Sequence, residues 1–135
     1  MMLCGYTSYP RDIDYAAFKA IADEVGAITM TDASHFGGLV AGRAMANPFD
    51  FGFDIVTTTT HKSLRGPRGG MVLCRKPFAK ALDKSVFPGL QGGPHMNAVA
   101  GIAVTLLKAQ TQEFQDYAQQ VLVNALMVQI QYQLV

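Results

Sequence analysis

Two short stretches carry side chains that could do chemistry together. Asp32-Ala33-Ser34-His35 supplies a carboxylate and an imidazole, and Thr57-Thr58-Thr59-Thr60-His61-Lys62 supplies hydroxyls, a second imidazole and an amine. Each follows an apolar run that reads as a strand of a parallel sheet. In open α/β sheets, ligands gather beyond the carboxyl ends of the strands, so the three kinds of group can share one crevice. An amine in such a crevice condenses with an aldehyde. A carboxylate facing a pyridine nitrogen keeps that nitrogen protonated and makes the ring an electron sink. A histidine can lie over the ring, while hydroxyls and glycine N–H groups hold a phosphate. These are the needs of pyridoxal phosphate catalysis.

Each residue also has an ordinary reading. Aspartates after strands cap turns, single histidines are often structural, and most lysines are solvated. Spacing by itself does not identify a cofactor.

The elements that must position these groups are legible in outline. Met1 to Cys4 reads as the end of a strand, and Tyr6 to Arg11 as a loop. Asp14 is placed to cap a helix from about Tyr15 to Val25, with Phe18, Ile21, Ala22 and Val25 at helical spacing and Gly26 as its stop. Ala27 to Thr31 is the next strand, which completes one βαβ passage. A loop and short helix cover roughly Ala33 to Ala44, and Asn47, Pro48 and Asp50 break the chain. Phe53 to Thr57 reads as a strand, Ser63 to Gly70 as a loop rich in Gly, Pro and Arg, and Met71 to Cys74 as another strand. Pro77 suits the first turn of a helix through about Lys84. Ser85 to Pro94 is a long loop. From His95 onward the sequence is helical, with a division near Thr111. The last stretch, with Ile130, Tyr132, Leu134 and Val135, is an apolar helix without a cap, and it needs a partner surface.

Composition narrows the function classes. The 135 residues include eleven basic and ten acidic side chains, for a net charge of +1. That balance excludes a polybasic nucleic-acid module as the default. Mean hydropathy is +0.17, which argues against a disordered chain. The two cysteines, Cys4 and Cys74, form no CxxC pair and read as buried thiols of a cytoplasmic protein. His35, His61 and His95 are far apart in the sequence, so no metal site is expected. No basic-then-apolar leader and no run of eighteen apolar residues is present.

The segment Val56-Thr57-Thr58-Thr59-Thr60-His61-Lys62-Ser63-Leu64-Arg65-Gly66-Pro67-Arg68-Gly69-Gly70 closely resembles the lysine segment of the serine hydroxymethyltransferases. Four other stretches support the likeness: Ser8-Tyr9-Pro10-Arg11, Ile21 to Ala27, His35 to Gly42, and Val86 to Pro94. The resemblance runs along nearly the whole chain and fades after Ala125. It implies an α/β fold, part of the three-layer α/β/α large domain of the aspartate aminotransferase-like (fold type I) pyridoxal phosphate-dependent transferases. It also implies that residues 1–135 are an incomplete large domain, truncated at both ends, whose helix from about residue 113 leads toward a small domain.

Residue by residue, the resemblance makes Lys62 the Schiff-base lysine that holds pyridoxal 5'-phosphate covalently as an aldimine. It pairs Asp32 with the pyridine nitrogen and sets His35 against the ring. Thr7 falls near the phenolic oxygen, Thr59 near the aldimine, and His61 where substrate and reaction specificity are shaped. Arg68 resembles an arginine that supports the lysine loop. Gly92 and Gly93 resemble the loop that reaches the cofactor phosphate of a neighbouring subunit, which implies a homodimer or homotetramer. The implied reaction moves the hydroxymethyl carbon of serine to tetrahydrofolate, giving glycine and 5,10-methylenetetrahydrofolate. The family's upstream phosphate and glutamate contacts and its downstream carboxylate-binding arginine have no counterpart here. The isolated chain is therefore expected to be inactive. Three other readings stand beside this one: a non-catalytic fragment or scaffold that pairs with intact subunits, another fold type I enzyme such as a threonine aldolase or cysteine desulfurase, and an RNA-binding module built on Lys62, Arg65 and Arg68.

Overall fold

The computed structural model describes residues 1–133, so Leu134 and Val135, at the end of the expected apolar helix, lie outside the described residues. Four strands form one sheet in the order β1 (Met2–Cys4), β2 (Thr29–Asp32), β3 (Ile55–Thr59), β4 (Gly70–Cys74). The first three are parallel, with Cys4 opposite Thr31 and Asp32 opposite Thr57. β4 runs antiparallel to β3, pairing Thr59 with Gly70. The expected βαβ passage is present, and β4 turns back because the Lys62–Gly69 loop connects it to β3 directly, without a crossover helix.

Helix α1 (Tyr15–Glu24) starts where the sequence predicts. The Asp14 side chain accepts a hydrogen bond from the Ala17 N–H at 2.9 Å, which satisfies one of the free donors of the first turn. Its buried stripe differs from the expected one. Tyr15 and Ala22 are buried and Phe18 packs against the cluster that holds Tyr15, but Ile21 is 52% exposed and Val25 67%. Tyr15 anchors the helix on Cys4 and Phe53, with its ring edge-on to Phe53 at 5.3 Å between centroids. Ile21 lies about 120° around the helix from that anchor, at about 100° per residue, and so turns outward.

The remaining helices follow the expected order: α2 (Gly37–Ala41), α3 (Lys76–Lys84), α4 (Met96–Lys108) and α5 (Gln112–Gln133), the last two separated near Thr111 as predicted. Pro48–Phe51 forms a single 3-10 turn capped by the Asn47 side chain, which accepts from the Phe49 N–H at 3.1 Å. The Ser85–Pro94 stretch is less uniform than the expected loop. Ser85 to Leu90 coils on from α3, with non-helical dihedrals at Phe87 and Pro88. No helix among the described residues is long and apolar enough to cross a membrane.

Two apolar clusters hold the sheet. Cys4, Tyr15 and Phe53 form one, and Leu64, Ala109 and Phe114 form the other, with Met71 and Tyr117 against it. Between them the central strands bury threonines: Thr29, Thr31, Thr58 and Thr60 are all less than a tenth exposed. A buried hydroxyl is tolerated only when bonded. Thr29 donates to Asp54 at 2.9 Å, Thr60 donates to the Pro67 carbonyl at 2.6 Å, and the Thr31 hydroxyl lies 3.4 Å from the Cys4 sulfur. Both cysteines are free, Cys4 fully buried and Cys74 only half-buried. Burial pushes the Cys4 thiol up from its ordinary value.

Burial, with Cys4 and Asp12 nearby, pushes the Tyr15 phenol up to about 12. The folded chain therefore keeps this proton at pH values where the unfolded chain, titrating near 10, has lost it. Stability is undiminished below about pH 10 and falls as pH rises toward 12, by roughly 2–3 kcal/mol in total. Tyr15→Phe should flatten this alkaline loss in denaturation midpoints measured against pH. An unchanged alkaline slope in that variant would count against it.

Candidate functional site

β1, β2 and β3 are parallel, so the segments that leave their carboxyl ends emerge on the same side of the sheet. Those segments are Gly5–Thr7, Ala33–His35 and Thr60–Lys62. The threonine run stitches the second to the third. Ala33 N donates to the Thr57 carbonyl at 2.8 Å, Thr58 Oγ1 donates to the Ala33 carbonyl at 3.3 Å, and Thr59 Oγ1 donates to the Ser34 carbonyl at 3.1 Å. Asp32 closes its own loop, its Oδ1 accepting from Ser34 N at 2.9 Å. One carboxylate oxygen is thus engaged by the backbone, which leaves the other for a cationic partner.

The lysine loop folds on itself beyond β3. Thr60 N donates to the Gly69 carbonyl at 3.0 Å, Gly66 N to the Thr60 carbonyl at 2.7 Å, and Arg65 N to the Lys62 carbonyl at 2.9 Å. Ser63 Oγ accepts from Gly38 N at 2.9 Å and donates to the His35 carbonyl at 3.3 Å. α2 rests directly on this loop, because a Cβ at Gly38 would fall 2.3 Å from the Ser63 carbonyl carbon. Only glycine permits that approach.

Gly5, Tyr6, Thr7, Asp32, Ser34, His35 and Lys62 line one cleft of about 150 Å³. Four of the predicted site residues, Thr7, Asp32, His35 and Lys62, therefore share a single lining. Thr59 and His61 do not line it. Thr59 is spent on Ser34, and His61 Nδ1 accepts from Gly69 N at 3.4 Å within the lysine loop. Arg68 is exposed on that loop, away from the cleft. Gly92 and Gly93 lie in the exposed segment ahead of α4, with open space around both and no place in the cleft.

A second cleft of about 240 Å³ adjoins the first through Tyr6, Thr7 and His35 and continues to Tyr9, Arg11 and Met45. Tyr6 and Tyr9 are about half exposed, their rings 5.4 Å apart. A larger cavity, about 570 Å³, lies between the Tyr9–Ile13 loop, Ala44–Ala46 and α5, and none of the candidate residues lines it. Size is a poor guide to the chemistry here, because that cavity carries no convergent amine, carboxylate and imidazole.

Sequence reasoning passed over Ser34 and Ser63 as site residues. Both hold the cleft together through backbone groups, and Ser63 could have been suspected from its place beside Lys62. Tyr117 also reaches this loop, donating from its hydroxyl to the Ser63 carbonyl at 3.3 Å across 54 residues of sequence. No local signal marks that contact.

The donor set fits pyridoxal phosphate at its ring. An amine, a carboxylate, an imidazole and a hydroxyl face one space, and a cavity of about 150 Å³ holds a benzene-sized ring. Lys62 is the one cation in that lining, so the ring end of the cofactor is matched better than the phosphate end.

Comparison with known proteins gives the following likenesses. The sequence profile of the family described as serine hydroxymethyltransferase matches residues 1–134. The chain is 55% identical over 125 residues to a serine hydroxymethyltransferase of Desulfotalea psychrophila, covering 93% of this chain and 29% of that protein. It is 54% identical over 125 residues to one of Sorangium cellulosum, with 93% and 29% covered. A third, from Prochlorococcus marinus, is 52% identical over 126 residues, with 93% and 30% covered. The chain thus spans about three tenths of the length of the curated relatives it matches.

Proposed function

The chain belongs to the serine hydroxymethyltransferase family, and on that premise we propose that it carries the cofactor-binding lysine segment of an enzyme that moves the serine hydroxymethyl carbon reversibly to tetrahydrofolate. Its α/β architecture, a mixed sheet flanked by helices, is consistent with the fold type I transferases. The observation that carries the reading is the single cleft shared by Lys62, Asp32, His35 and Thr7.

Pyridoxal phosphate, when bound, supplies an aldehyde that takes up an amine and a ring that draws electrons from an amino acid attached to it. The residues of this chain hold and orient it. Lys62 Nζ is the amine that takes the aldehyde. Asp32, with Oδ1 tied to Ser34 N, keeps a proton on the ring nitrogen through its other oxygen. His35 closes one wall of the cleft, and Thr7 offers a hydroxyl on the lining. Thr59 holds Ser34, and with it the Asp32 loop. His61 and Arg68 act from the lysine loop, on substrate selection and loop support. Gly92 and Gly93, exposed ahead of α4, would offer backbone N–H groups to the cofactor phosphate of a second copy of the chain.

Titrating the chain with pyridoxal phosphate tests the proposal. Saturable binding with a visible absorbance band is expected, together with tetrahydrofolate-dependent conversion of serine to glycine by the complete protein. Equal, unsaturable modification of all six lysines would defeat it.

A further inference from the structure

We propose that Tyr117, on α5, is a positioning residue for Lys62 and acts through Ser63. The three residues after Lys62 are all fastened to α5 or to the turn before it. The Ser63 carbonyl accepts from the Tyr117 hydroxyl at 3.3 Å. Leu64 is 3% exposed and packs with Ala109 and Phe114. Arg65 sets its guanidinium 4.1 Å from the centre of the Tyr117 ring and 5.4 Å from that of Phe114. A cation over an aromatic face is attracted by the ring's quadrupole.

Arg65 makes this contact from a strained backbone. Its φ of 61° lies in the left-handed region, where a non-glycine residue is disfavoured. Such strain persists only where the surroundings over-determine it. Here they include the Arg65 N–H bonded to the Lys62 carbonyl, the rings of α5, and the neighbouring Gly66 N–H on the Thr60 carbonyl.

The Ser63 side chain reaches a residue of the cleft lining, His35. Its hydroxyl donates to the His35 carbonyl and accepts from Gly38 N, so one residue joins α5 to a lining residue of the cleft. The Lys62 side chain is long and exposed, with many rotamers to lose. Holding its backbone from the carboxyl side narrows the arc its amine can sweep. Tyr117 touches neither the cleft nor the amine, and its effect runs through the Ser63 peptide.

The proposal rests on Lys62 being the amine that takes the cofactor's aldehyde, and the test separates the two. Tyr117→Phe removes the hydroxyl and keeps the ring under Arg65. In the full chain, hydrogen exchange at the Arg65 and Gly66 amides reports the loop without any cofactor. Borohydride trapping after brief exposure to pyridoxal phosphate, with peptide mapping, reports how strongly Lys62 is preferred over the other five lysines. The expected result is exchange at both amides faster by about fivefold, the loss of one ordinary hydrogen bond, with a similar fall in Lys62 preference. Tyr117→Leu, which also removes the ring, should speed exchange further and lower the preference for Lys62 further. Unchanged exchange in Tyr117→Phe overturns the tether. Faster exchange with unchanged Lys62 preference overturns its positioning role. If the unsubstituted chain shows no preference for Lys62, the cofactor reading fails and takes the positioning role with it, and intact amide protection identifies that case.

Discussion

Replacing Lys62 by alanine is expected to abolish the visible absorbance that pyridoxal phosphate acquires on the protein and to lower serine-to-glycine turnover of the complete protein by on the order of 10³-fold or more. The effect is large because Lys62 supplies the one amine of the cleft lining. The remaining lining groups are a carboxylate, an imidazole, hydroxyls and backbone, and none condenses with an aldehyde in its place. Lys62→Arg distinguishes the amine from its charge. A guanidinium keeps the cation but stays protonated, so it should restore none of the absorbance. A Lys62→Ala protein that retained the band would place the cofactor's amine elsewhere.

Gly5→Ala should have the largest effect on the fold. Gly5 follows β1 with φ of 104°, a conformation that side chains rarely adopt, and a Cβ there would sit 2.1 Å from the Asp32 carbonyl oxygen. Two costs therefore combine. The backbone strain is worth about 1–2 kcal/mol, and forcing two main-chain segments apart costs about 1–3 kcal/mol more. A fall in melting temperature on the order of 10 °C or more is expected. Because the contact is with Asp32 and Gly5 itself lines the cleft, affinity for pyridoxal phosphate should fall in any fraction that still folds. Thermal melting with and without cofactor reads both effects. A variant that melts within 2–3 °C of the parent, by the same order-of-magnitude scale, would show that β1 and β2 are free to separate there.

Much of this arrangement is legible locally. Asp14 announces α1 because a carboxylate before a helix can accept from a free N–H of the first turn, and it does so. The break near Thr111 divides α4 from α5 where predicted. Asp32 and Lys62 stand out because each follows a β-branched strand, and parallel pairing delivers both to the same edge. The helix faces are less legible. The spacing of Phe18, Ile21, Ala22 and Val25 contains a valid apolar stripe, yet Tyr15 anchors α1 and turns Ile21 to solvent, while Val25 falls past the last helical turn as its C-cap. Periodicity identifies a helix and leaves its rotation to whichever residue finds the deepest contact.

The sequence by itself determined the order of elements, the family, and which amine and carboxylate are the candidates for chemistry. Those features depend on local propensity and on a long, specific run of residues. Only the tertiary structure decided which groups share a cleft and which merely hold it. Thr7, Asp32, His35 and Lys62 share a lining, whereas Thr59 and His61 are turned to backbone partners and Gly92 and Gly93 stand apart. Hydroxyls bond whichever unpaired carbonyl the fold brings within reach. Thr59 thus holds Ser34, and Tyr117 reaches Ser63 across 54 residues, a separation at which sequence spacing carries no geometry.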